Sequence, residues 1–299
     1  MTFSIVAVDQ ENKEIGFAIA SCAWNAGMVC RAKPETGAIA SQAQGRLFLL
    51  DAFFEQLKKN KSLEEIMAHF REIDEGIENR QIGMVTFADE SFAFTGENCT
   101  IWAGHKIGKN YSCQGNILVG PEVIANMTAA FESTQGTLTA RLFAALKAGD
   151  DAGGDARGKQ SAKLYVCKVT GGMLGDGIIT NYTIEDHDEP VQEIGRLLAV
   201  ENNFRTLNGF YGLLQKAETN LDKIKVLDQA AEFLKDKEDA RYIDIFEEVA
   251  TTYLQLGATD KAITYFRKYL KIAPKMVRAF EQLAKKLDLP DDLLQAILK

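Results

Sequence analysis

The chain has 299 residues, 46% of them hydrophobic, a formal charge of −8, five cysteines and three histidines. That length supports a sizeable core and two domains. No apolar run approaches the ~20 residues a bilayer requires, and the start lacks a basic region followed by an apolar signal segment, so no membrane span or secretion by that route is expected. The acidic balance disfavours nucleic-acid binding, which needs a basic surface to displace counterions. The cysteines show no paired metal spacing, and no histidine stands three to five residues from another His or Cys ligand, so no metal or cofactor is expected. Free thiols suit a reducing cytoplasm.

In chain order, Thr2 to Asp9 and Ile15 to Ala20 read as a hairpin, and Gly37 to Gln42 as a further strand of small residues. Leu47 to Lys59 has apolar residues at helical spacing. Ser62 and Glu65 form a capping-box pattern ahead of Ile66, Met67 and Phe70. Strands return at Ile82 to Phe87, Ser91 to Thr95 and Tyr111 to Leu118, then helices at Pro121 to Phe131 and Leu138 to Lys147. Ala162 to Val169 and Ile178 to Ile184 complete the strands. Strands grouped with strands and helices inserted in pairs predict antiparallel sheets covered by helices. Beyond Ala199 the composition changes to helix formers. There Ala250, Tyr253, Gly257, Ala262, Phe266 and Pro274 fall at the spacings of one tetratricopeptide repeat. Such an array needs neighbours to bury its faces, so residues 200–299 are expected to dock on the first domain, self-associate or bind a protein partner.

Between Arg80 and Ser161 polar residues recur at the ends of short apolar runs, where a sheet delivers side chains to a site: Arg80-Gln81, Thr95-Gly96, Trp102 to His105, Cys113 to Asn116, and Gly153 to Ser161. Buried polar groups need partners, and such clusters point to a binding or catalytic network. Together with Thr2 to Ala7, Ser41-Gln42-Ala43 and Asp186-His187 followed by Pro190-Val191, this constellation resembles the domain of unknown function 1028 family, grouped with the N-terminal-nucleophile (Ntn) hydrolases. The resemblance covers the first two thirds of the chain. It implies an α+β fold, a four-layer αββα sandwich over residues 1–199; the change of composition and the repeat spacing put an all-α helical-repeat domain after it, over 200–299.

It also implies an amide hydrolase whose nucleophile is the first residue of the mature chain. Thr2 fills that role once Met1 is removed, because an α-amine with a pKa near ~8 reaches its own side-chain oxygen. Lys33 is the expected electrostatic helper. His105, Gln114, Asn116, Asp155, Arg157, Gln160 and Ser161 are the expected pocket residues, with Gln114 or Asn116 donating to an oxyanion and His105 shuttling a proton. A Cys99 or Cys113 dyad with His105 is the lesser alternative. The P-loop-like spacing of Gly153, Gly158 and Lys159 is not followed by Ser or Thr and runs from a helix into a strand, which argues against nucleotide binding. The chain departs from the family at Cys30-Arg31, where Pro and Trp are usual, and at Gln44 to Phe48. A small amide is the expected substrate. The rival reading is a non-catalytic ligand-binding or scaffold protein that recruits a partner through its helical tail.

Overall fold

The computed structural model describes residues 2–172 and 175–299. The chain divides into two compact units, residues 1–199 and 200–299. The first unit opens with β1 (Thr2–Asp9), β2 (Glu14–Ser21), β3 (Cys30–Lys33) and β4 (Gly37–Ala43). Helices α1 (Leu47–Lys58) and α2 (Leu63–Ile73) follow, then β5 (Arg80–Thr86), β6 (Ser91–Thr95), β7 (Trp102–Gly108) and β8 (Tyr111–Leu118). After α3 (Glu122–Ser133) and α4 (Leu138–Asp151) come β9 (Ser161–Cys167), β10 (Ile178–Ile184) and α5 (Pro190–Lys216). The residue pattern predicts neither β3 nor β7. The first has only four residues, and the second is an edge strand whose middle, His105 to Ile107, is exposed, so neither carries a buried alternation. The Ser62–Glu65 capping box is present at α2.

All strand pairs are antiparallel, in a six-stranded sheet β10-β9-β2-β1-β8-β7 and a four-stranded sheet β3-β4-β5-β6. Alternation along each strand sorts its side chains between two faces. Phe3, Ile5 and Ala7 of β1 join Val123, Met127 and Phe131 of α3 and Leu142 and Leu146 of α4 in one apolar cluster. Ile39, Ile82 and Met84 of the smaller sheet pack with Leu50, Phe53, Ile66 and Phe70 of α1 and α2. The opposite faces meet each other: Val6 and Val8 of β1 and Phe17 and Ile19 of β2 share a cluster with Ala38 and Ala40 of β4 and Val85 of β5. A mixed α and β unit built on antiparallel sheets is therefore observed. Burial of these faces at ~25 cal/mol per Å² is its main stabilising term.

The second unit continues α5 with α6 (Asn220–Leu234), α7 (Ile243–Gln255), α8 (Thr259–Ile272), α9 (Val277–Lys286) and α10 (Asp291–Leu298). Ala250, Tyr253, Ala262 and Phe266 are fully buried in its core with Phe246 and Phe280. Gly257, at φ +77°, closes the turn between α7 and α8, a conformation that L side chains rarely adopt. Among the described residues no helix is long and apolar enough to cross a membrane.

Candidate functional site

Where β1 begins, the contact between the sheets changes character. Thr2 and Ser4 occupy the face that further along carries Val6 and Val8, and opposite them stand Gln42 of β4 and Gln81 of β5. These side chains are buried, as are Ser112, Gln114 and Asn116 of β8. Their carboxamides and hydroxyls form one continuous hydrogen-bonded lattice. Ser4 Oγ donates to Gln42 Oε1 (2.7 Å) and accepts from Gln114 Nε2 (2.7 Å), while Ser112 Oγ donates to Gln114 Oε1 (2.8 Å). Gln81 Oε1 accepts from both Gln42 Nε2 (2.8 Å) and Asn116 Nδ2 (2.9 Å). Gln81 Nε2 faces Thr95 Oγ1 and the carbonyls of Gly104 and Gly115 at 2.7 to 3.0 Å. Gly83 makes room for this lattice, since a Cβ there would lie 2.0 Å from Gln114 Oε1.

Thr2 sits at the rim. Its Oγ1 donates to Ser21 Oγ (3.2 Å), and its carbonyl lies 3.3 Å from Gln42 Nε2. Thr2 is the cross-strand partner of Asn116, which places their side chains on one face. Two strand ends near it carry left-handed backbone. Between Asn116 and Leu118 the β8 register slips against β7, and the intervening Ile117 has φ +50°, an outlier for a β-branched residue. Ala43, at the end of β4, has φ +70°. Bulges and left-handed positions of this kind are over-represented beside functional sites.

The expected site residues separate into three groups. Thr2, Gln114 and Asn116 come together in or against the lattice. His105 joins it from the surface: Thr95 Oγ1 lies 2.8 Å from His105 Nδ1, and desolvation of the ring against the protein holds the imidazole below its ordinary pKa. Asp155, Ser161 and Gln160 serve the loop after β2. Asp155 Oδ2 accepts the Cys22 N–H (2.9 Å), Ser161 Oγ donates to Ala23 O (2.6 Å) and accepts the Ala26 N–H (2.9 Å), and the Gln160 N–H donates to Ser21 O (3.1 Å). Arg157 pairs with Asp155 through Nη2 (3.0 Å) and Nε. The Gln160 side chain bonds Asp186, tying in the Asp186-His187 segment.

Lys33 lies elsewhere. It pairs with Gly37, five residues along β4 from Gln42, roughly 16 Å at strand rise. Cys30 and Ala32 face the other sheet, so Lys33 points to the helical side, where its Nζ stands 4.3 Å from the centre of the Phe54 ring. Strand alternation, invisible while β3 is unrecognised, is the reason. The cysteine alternative fares similarly. Cys113 projects opposite to Gln114, its Sγ 3.7 Å from Met127 Sδ, and burial pushes its thiol pKa up; burial raises Cys99 as well. Met1, whose removal the mechanism requires, lies outside the described residues.

Ser4, Ser21, Gln42, Gln81 and Thr95 join the site without having been assigned a role from the sequence. The available signal was polar alternation in strands: Thr2 and Ser4, then Gln114 and Asn116, each two apart on one face. Among the described residues no three His, Cys, Asp or Glu side chains are grouped to hold a metal ion.

Comparison with curated proteins finds no match. Among solved structures, protein SPO2555 from Silicibacter pomeroyi, itself assigned to DUF1028, is 28% identical and superposes with a TM-score of 0.60 over 66% of this chain and 88% of its own. Eukaryotic HslV from Trypanosoma brucei shares 12% identity over 56% of this chain and 98% of its own, at a TM-score of 0.37 too low to bear on the fold. Residues 2–194 match the model of the family of unknown function DUF1028, the family to which the chain belongs.

Proposed function

We propose that the chain is an amide hydrolase of the N-terminal-nucleophile type. Its layers stack helix, sheet, sheet, helix, and its second unit is a tetratricopeptide-repeat-like tail. The observation that carries the catalytic reading is the position of Thr2: its hydroxyl is at the rim of a buried carboxamide lattice, between two strained strand ends. After removal of Met1, Thr2 Oγ1 attacks the amide carbonyl carbon while the Thr2 amine takes the hydroxyl proton. The tetrahedral oxyanion is stabilised by Asn116, whose Nδ2 retains a second N–H beyond the one given to Gln81. Collapse breaks the C–N bond, the leaving amine takes the proton, and water hydrolyses the resulting ester. Ser21 and Gln42 hold Thr2, and Asp155 and Ser161 hold the neighbouring loop.

The test uses full-length protein whose intact mass shows Met1 removed. A reactive β-lactone is expected to acylate Thr2, and Thr2→Val is expected to lose at least about 10³-fold in rate. Retention of Met1, or undiminished acylation of the Thr2→Val protein, sinks the mechanism.

One observation favours the second reading, a non-catalytic binding protein: Lys33 stands over Phe54 rather than beside Thr2. Under that reading Thr2 resists acylation, and a protein partner depends on residues 200–299.

A further inference from the structure

Four large apolar side chains stand exposed on two segments: Trp24 (62%) and Met28 (47%) after β2, and Leu47 and Phe48 (44% each) at the start of α1. Both segments lead from residues that touch Thr2. Ser21, whose Oγ is 3.2 Å from Thr2 Oγ1, is three residues before Trp24, a reach of at most about 11 Å. Gln42, beside the Thr2 carbonyl, follows Ser41, whose Oγ accepts the Arg46 N–H (3.3 Å) and so fixes the entry to Leu47. The segments lie against each other, since a Cβ on Gly45 would be 3.3 Å from Val29 Cγ1.

The Trp24 loop is also held in place. Buried Asp155 grips it at the Cys22 N–H, and buried Ser161 grips it at Ala23 O and the Ala26 N–H. An indole this exposed, on a loop fixed by two buried polar side chains, is presented rather than left over. Exposed apolar side chains carried on two adjoining segments are the material of which binding surfaces are made.

We propose that Trp24, Met28, Leu47 and Phe48 bind an apolar group of the substrate, so that the scissile amide belongs to a molecule with a large uncharged hydrocarbon substituent. This rests on the hydrolase reading above. The substituent is the occupant because the segments that carry the apolar side chains follow closely on Ser21 and Gln42, the residues bonded to Thr2. A pre-formed loop keeps the ordering cost of binding low.

The experiment uses the full chain with Met1 removed and two β-lactones of matched reactivity, one with an octyl and one with a methyl substituent, followed by intact mass against time. The octyl lactone is expected to acylate Thr2 at least about 10-fold faster, and Phe48→Ser is expected to bring the two rates close to parity. Equal rates in the native protein, or an octyl advantage that Phe48→Ser leaves unchanged, overturn the substrate class while leaving the hydrolase reading intact. If neither lactone acylates Thr2, the hydrolase reading fails instead. The surface is then judged by tryptophan fluorescence during titration with octanamide. A blue shift abolished by Phe48→Ser supports an apolar ligand, and no shift overturns it. A change in oligomeric state on Phe48→Ser, with the octanamide response unaltered, overturns the proposal in favour of an interface between copies.

Discussion

The two ends of the contact between the sheets are built on the same strands and differ in chemistry. At one end Val6, Val8, Phe17, Ile19, Ala38 and Val85 pack apolar surface on apolar surface. At the other, Thr2, Ser4, Gln42, Gln81, Gln114 and Asn116 are equally buried but joined by hydrogen bonds. Apolar packing is non-directional and holds the sheets together. The carboxamide lattice contributes little net energy per bond, roughly 1 kcal/mol, but it is directional, and leaving any one partner unsatisfied costs about 1–3 kcal/mol. The molecule therefore places stability at one end and geometric definition at the other, and Thr2 is at the defined end.

The largest expected effect tests the apolar end. Phe17, buried and stacked on Tyr165 at 5.5 Å between ring centroids, leaves a cavity when truncated; Phe17→Ala is expected to cost about 3–5 kcal/mol in urea unfolding, with less effect on the environment of Thr2 than on the fold. A much smaller loss of stability would mean that the two ends share the load more evenly than their chemistry implies.

Next comes the polar end. Gln81→Leu keeps a similar volume but removes the acceptor of Gln42 and Asn116 and the donor to Thr95 and to the Gly104 and Gly115 carbonyls, and is expected to cost about 2–3 kcal/mol. Its distinguishing signature is coupling. A double-mutant cycle with Asn116→Ala should be non-additive by more than about 0.5 kcal/mol, whereas Gln81→Leu with Phe17→Ala should add. Additivity in the first cycle would break the picture of one lattice.

The smallest effect concerns Glu14, a buried carboxylate outside the lattice. Among the described residues its Oε2 has no hydrogen-bond partner; Lys168 is 3.7 Å away, and burial raises its pKa. A raised folded-state pKa means that the native state holds the proton more tightly, so this group's contribution is fully present below its unfolded pKa and is lost as pH rises through the folded value. Glu14→Gln is therefore expected to match the native protein near pH 4 and to exceed it by about 1 kcal/mol at pH 7, read from urea midpoints at several pH values. A variant no more stable at pH 7 would show that Lys168 fully compensates the charge.

Much of the framework is legible in the sequence. The strands Thr2 to Asp9, Ser91 to Thr95, Tyr111 to Leu118 and Ile178 to Ile184 and the helix starting at Leu63 fall where periodicity, turn residues and the capping box put them. Local signals suffice there because side-chain alternation and helix caps are short-range physics. The site was only half legible. Gln114 and Asn116 announce themselves by alternation, but Ser21 and Thr2 are 19 residues apart and Ser4 and Gln42 are 38 apart, separations that only strand pairing and sheet packing close. Lys33 shows the converse: a cation well placed in the linear motif is turned to the helical face by the parity of a strand too short to recognise.

By itself, then, the sequence determined which segments are strands and helices, which faces are apolar, and that polar residues gather in strands β1 and β8. The tertiary structure alone decided which of those polar groups meet, that they form a single lattice rather than separate turns, and that Thr2 stands at its rim. The reason is that a side chain's face follows from its own strand's alternation, whereas its partner is set by register between strands and by the contact of two sheets, to which residues distant in the chain contribute equally.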